Sequence, residues 1–127
     1  VSGDQVECWN YMASPEVFGD AMAEAAGTIV EYFRGKIAFI NMMCNLSVDC
    51  DCCAVAEDPC MKDIGILAST DPVALDQACM DLIRRSNDPG REHFLERVTS
   101  RKGTRVIDSA ARLGVGRKQY ELVRVDS

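Results

Sequence analysis

The sequence predicts an α/β domain: a small, mostly parallel sheet flanked by helices, with a long cysteine-rich loop between two of its strands. Three observations lead there. Two short runs, 36–43 (KIAFINMM) and 64–69 (IGILAS), are apolar almost throughout, as strands buried on both faces of a parallel sheet are. Helical periodicities precede and follow them, and alternating helix and strand signals mark an α/β chain. The stretch between the two runs, 44–63, has no periodicity and holds five of the seven cysteines.

The elements follow in order. Ser14-Pro15 opens the first helix, Ser as the cap and Pro at the first helical position. Phe18, Met22, Ala25, Ile29 and Phe33 recur three or four residues apart, one apolar stripe expected to face the core. Gly35 suits a left-handed C-cap. The strand 36–43 comes next, with Met42 and Met43 continuing its buried run. After the loop and the strand 64–69, Asp71-Pro72 opens the second helix, whose inner face is Leu75, Cys79, Leu82 and Ile83. Asn87 to Gly90 is a turn. A short helix over 92–100 is expected to bury Phe94, Leu95 and Val98. Thr104 is a candidate cap for a fourth helix, with Ile107, Ala111 and Leu113 inward and Gly114 as its stop. The run 120–125 (YELVRV) reads as a last strand.

The chain has 127 residues, enough for one domain with its own core over 1–127. Its start at Val1, without Met, is read as that of a fragment or a processed chain. Net charge is −6, unevenly distributed. Residues 1–81 carry 14 acidic and three basic side chains, whereas 82–127 carry 11 basic and six acidic. Such halves neutralise each other when they fold together. The basic half has few aromatics to stack on bases, so nucleic acid is not an expected partner. No apolar run approaches the ~20 residues of a membrane span, and the first ten residues lack the pattern of a secretion signal. An odd number of cysteines, four of them within 50–60, is a poor disulfide framework. Reduced thiols and a cytoplasmic location are expected.

The loop spacing is Cys44-x5-Cys50-x-Cys52-Cys53-x6-Cys60. Thiolates are soft ligands for zinc or iron–sulfur clusters, and Cys50, Cys52, Cys53 and Cys60 are the candidate set. The spacing matches neither a zinc ribbon nor a bacterial ferredoxin run. Two other readings stand beside metal ligation: reduced cysteines packed as small hydrophobes, and a redox-active pair, Cys50 with Cys52. Asp49, Asp51, Glu57 and Asp58 add oxygen ligands or negative charge. Like charges disfavour thiolates, and a cation would relieve that.

Elsewhere the candidates are thinner. Asp71 and Asp76 flank a helix start after a buried strand, where a cleft could use paired carboxylates, but Asp71 is also a cap and Asp76 an early-turn acid. His93, the single histidine, has no nucleophile beside it and reads as a surface residue. Trp9 and Tyr11, near Cys8, are expected to pack the chain start against the domain.

The segments NLSVDCDCC, DIGILASTDPVALDQACMDLI and RVIDSAARLGVGRKQYELV closely resemble the C-terminal region of the DUF362 family, often labelled iron–sulfur centre proteins. The resemblance spans roughly 16–123. It implies a larger protein of which this chain is the C-terminal piece, with an N-terminal α/β region and, in many members, an inserted ferredoxin module carrying two four-iron clusters. Those clusters would lie outside this chain, and its own N-terminal and ferredoxin-like regions would be its partners. Exposed apolar surface, and hence a homodimer of the isolated piece, is a further expectation. By position, Cys50 and Cys52 match the family's Cys-x-Cys pair, Asp49 and Asp51 its acidic companions, and Asp63, Asp71 and Asp76 its recurrent aspartates. Cys79 matches a common choice there. Cys53 and Cys60 depart from the pattern, and Cys44 and Cys8 are idiosyncratic. The resemblance implies an iron–sulfur-associated redox or electron-transfer module. The remaining readings are a ligand-free scaffold and part of an enzyme cleft completed by the N-terminal region.

Overall fold

A computed structural model of the protein describes residues 13–49 and 54–125. Its elements are α1 (Pro15–Tyr32), β1 (Phe39–Met43), β2 (Gly65–Ser69), α2 (Pro72–Arg85), α3 (Arg91–Ser100) and α4 (Arg105–Arg112). The helix starts at Ser14 and Asp71 form as their sequences predict. Ser14 Oγ accepts from the Val17 amide, and Asp71 Oδ1 accepts from the amides of Val73 and Ala74 at 2.9 and 3.0 Å. Thr104 differs: its side chain makes no capping bond, and its backbone is already helical.

The α/β class holds, but the sheet is not mostly parallel. Among the described residues it has two strands, β1 and β2, and they run antiparallel with Phe39 opposite Ser69 and Met43 opposite Gly65. The physical reason lies in the connection. A parallel pair needs a crossover to carry the chain back to the same end. Here 44–64 goes out and returns, its two limbs bonded to each other by a bridge between Leu46 and Met61. The predicted strand at 120–125 is also absent: Tyr120 is tied by its hydroxyl to Asp81 at 3.0 Å, and 121–125 are exposed without ladder pairing.

One face of the sheet carries Phe39, Asn41, Met43 and Leu67 and packs on α2. The other carries Ile40, Met42 and Ile66, which are 67, 68 and 65% exposed. Cross-strand pairing sets Met42 opposite Ile66 and Ile40 opposite Ala68, so these side chains form one apolar block. The expectation of burial on both faces, Met42 included, is therefore corrected: the described residues cover one face only.

α2 is the spine. Its Val73 joins Ala23, Ile107 and Ala110 in one core cluster, and its Cys79 and Ile83 join Met43 and Met61 in another. Met80 touches both. α1 meets α4 through small residues, buried Gly19 and Ala23, which let the two backbones approach. A Cβ on Gly19 would already press on Arg105. The apolar stripe of α1 thus lies beside the contact and not in it: Phe18, Met22, Ile29 and Phe33 are exposed, as are Ala25 and, on α4, Leu113. Polar bonds finish this junction. Arg105 grips Asp20 with two bonds of 2.8 and 2.7 Å, and buried Ser109 donates to the same carboxylate. The Arg105 and Ser109 bonds hold the Asp20 carboxyl well below the usual carboxylate range.

Candidate cysteine-loop site

The loop between β1 and β2 begins as a continuation of their ladder. The Ile64 amide donates to Met43 O at 2.9 Å, and the amides of Cys60 and Met61 both donate to Leu46 O. Asn45 takes a left-handed conformation, φ 51°, and its amide donates to Asp63 Oδ1. These bonds close a neck at the base of the loop.

Cys60 sits in that neck. Its Sγ lies 3.4 Å from Leu46 O, with the thiol as donor, and the side chain packs at the edge of the Met43–Met61 cluster. Burial pushes its pKa up, which favours the neutral thiol. The returning limb is seated on the turn between α2 and α3. Asp88 accepts from the Lys62 amide at 3.1 Å and from the Gly90 amide at 2.8 Å, and these two bonds depress its pKa. The fit is close: a Cβ on Gly90 would lie 1.7 Å from the Cys60 carbonyl oxygen, a position only glycine can fill without displacing the limb.

A second brace lies farther out. The Glu57 amide donates to Asp49 Oδ2 at 3.0 Å, and Ser47 Oγ donates to Glu57 O at 3.0 Å. Both acidic side chains then meet α3. Arg97 Nη1 is 2.5 Å from Asp49 Oδ1 and Nη2 is 3.5 Å from Glu57 Oε1. His93 Nε2 is 2.7 Å from Glu57 Oε2. The Glu57 amide bond, aided by Arg97, holds Asp49 below its usual pKa against the opposing effect of burial. Asp49 and Glu57 are expected from sequence as oxygen ligands or as negative charge beside the thiols; in the structure the side chains that engage them are Arg97 and His93. No local pattern in the sequence signals this contact, because the partners are 36–48 residues apart. The one available hint is that His93 and Arg97 share a helix face at a spacing of four.

Of the four candidate ligands the structure describes one. Cys60 is in the neck, and Cys50, Cys52 and Cys53, with Asp51, lie outside the described residues, in the span between Asp49 and Ala54. Cys8, Trp9 and Tyr11 also lie outside them. Among the described residues no three His, Cys, Asp or Glu side chains come together as a metal site, and Cys44, Cys60 and Cys79 are free thiols.

The paired aspartates resolve differently. Asp71 is occupied on both oxygens, Oδ1 by the cap and Oδ2 by the Arg117 amide at 2.9 Å. Asp76 is exposed and accepts from Asn41 Nδ2 at 2.8 Å, while the same amide reaches Cys79 Sγ at 3.4 Å. Cys79 is buried core, and burial raises its pKa.

Residues 2–81 match the family model described as Domain of unknown function (DUF362). The chain belongs to that family. The matched region takes in α1, both strands, the whole cysteine loop and most of α2; α3 and α4, which brace the DUF362 loop and pack on α1, follow it. No curated protein and no solved structure matches the chain. Among the described residues no helix is long and apolar enough to cross a membrane.

Proposed function

We propose that this DUF362 chain is a metal- or iron–sulfur-associated module serving redox chemistry or electron transfer, with Cys50, Cys52 and Cys53 as its ligands. The observation that carries this reading is the double brace of the loop. The limbs flanking those three thiols are tied to each other and to α3, so a ligand set between them is held at a reduced cost in chain entropy. The same brace removes an electrostatic obstacle. Asp49 and Glu57, which would oppose thiolates, are neutralised by Arg97 and by His93 when protonated. Cys60 keeps its place as the neck thiol in this reading. A bound iron–sulfur centre would supply one-electron chemistry, and zinc would supply a structural cross-link. Further clusters, in a ferredoxin-like region of the same protein, would be its electron partners, and a reducing cytoplasm its setting.

Anaerobic purification followed by assay of iron, zinc and acid-labile sulfide tests the proposal. The expected result is a stoichiometric metal that is lost in Cys50→Ser/Cys52→Ser. A metal-free, colourless protein with every thiol titratable sinks it.

The exposed sheet face favours a second reading: a ligand-free scaffold whose apolar faces pack against other parts of the same protein or a second copy. In that case the double Ser variant leaves cluster content and activity of the full-length protein unchanged.

A further inference from the structure

Between the outgoing limb of the loop and α3 lies an open groove of about 370 Å³, within the range of small-molecule sites. Phe94, Arg97, Val98 and Arg101 line one wall. They are spaced three and four apart and so form a single helix face. Val48 and Asp49 line the other wall. Phe94, Val98 and Val48 are half-buried, which gives the groove an apolar floor.

The charges on this floor are unequal in their commitments. Arg97 is engaged by Asp49 and Glu57. Both oxygens of Asp49 are taken, one by Arg97 and one by the Glu57 amide. Arg101 is exposed, and its guanidinium makes no hydrogen bond or ion pair among the described residues. Of the two arginines that line the groove, Arg97 is bonded by carboxylates, whereas Arg101 acts on Asp49 only through space and keeps its donors unbonded among the described residues. A guanidinium beside an apolar floor suits a ligand with an anionic end and a flat apolar body, since the fork pairs with carboxylate in a bidentate manner.

We propose that the groove between 47–49 and α3 binds a small organic monoanion, its carboxylate on Arg101 and its apolar body against Phe94 and Val98. Asp49, which lines the groove, directly precedes Cys50 in the chain. The inference does not depend on metal at those thiols, since the site uses described residues alone and the probe carries no metal.

4-Fluorobenzoate is the test, its binding read by fluorine NMR of the ligand and its place by proton–nitrogen spectra of the whole chain, with neutral 4-fluorobenzamide as the comparison. Binding of the benzoate at about millimolar affinity is expected, with the amides of Val48, Phe94 and Val98 shifted. The benzamide should bind about tenfold more weakly, as for the loss of one charge-assisted contact. Arg101→Gln should weaken benzoate binding by a similar factor, Arg101→Lys should retain more affinity than Arg101→Gln, and Arg117→Gln, a distant exposed arginine, should change nothing. No benzoate binding, equal binding of the benzamide, or shifts confined to other surfaces would overturn the proposal. So would full affinity in a folded Arg101→Gln protein; should that variant not fold, the benzamide comparison and Arg101→Lys still decide it.

Discussion

Single residues in this chain act mostly by what they leave room for. Gly90 is the sharpest case, because its missing side chain lets the Cys60 carbonyl come within a distance no Cβ tolerates. Gly90→Ala should displace the returning limb and cost about 1–3 kcal/mol; urea unfolding followed by circular dichroism measures it. A midpoint equal to the wild type's would mean that the limb is free to move. Gly116 is similar, with Asp71 where its Cβ would be, which keeps the tail against the start of α2. At this scale two of the three expected side-chain caps, Ser14 and Asp71, form and Thr104 does not, while the close approaches leave no local mark. Ser14, Asp71 and the Gly35 stop are local devices, and local devices are legible. The need for glycine at 90 depends on Cys60, 30 positions away, and nothing near Gly90 announces it.

At the scale of elements, the loop behaves as a braced unit whose supports lie on α3. Arg97→Ala should remove both ties to the outer limbs. These pairs are partly exposed, so the global loss is expected to be ~1 kcal/mol or less. The local effect should be larger: hydrogen exchange at 47–57 should speed up while α2 stays protected. Equal exchange in both proteins would refute the brace. Acid should act at the same place. Asp49 and Asp88 have folded pKa values lowered by amide bonds, so their stabilisation is complete above the unfolded value of about 3.9 and is lost as pH falls through the lower folded value. The amide resonances of Glu57 and Lys62 should therefore hold steady through pH 5 and move only below about pH 4. Asp49→Asn should abolish the Glu57 transition and leave that of Lys62. A Glu57 transition centred near pH 5 would contradict the assignment.

For the whole molecule, the decisive feature is apolar surface that the described residues do not cover. One sheet face and the outer stripe of α1 remain open, and large open patches mark surfaces that meet something else. Replacing Ile40, Met42 and Ile66 by Thr should change stability by only about 0.5 kcal/mol each, as for exposed positions. If a second copy covers this face, light scattering should show self-association in the wild type that the triple variant loses. A wild type that stays monomeric at all concentrations would assign the face to another part of the protein or to another partner.

The sequence by itself determined the α/β class, the positions of the helices and two strands, the buried face of α2 with Cys79 in it, and the DUF362 membership carried by the loop and the segment after it. Each is written in near neighbours: caps, spacings of three and four, contiguous motifs. Only the tertiary structure decided that the two strands run antiparallel, that the α1 stripe stays outside while Gly19 and Ala23 make the contact, and that Arg97 and His93 hold the acidic residues of the cysteine loop. Those outcomes depend on which distant surfaces meet. An apolar strand reads the same whether a second layer covers it or not, and a carboxylate reads the same whether a metal or an arginine finds it.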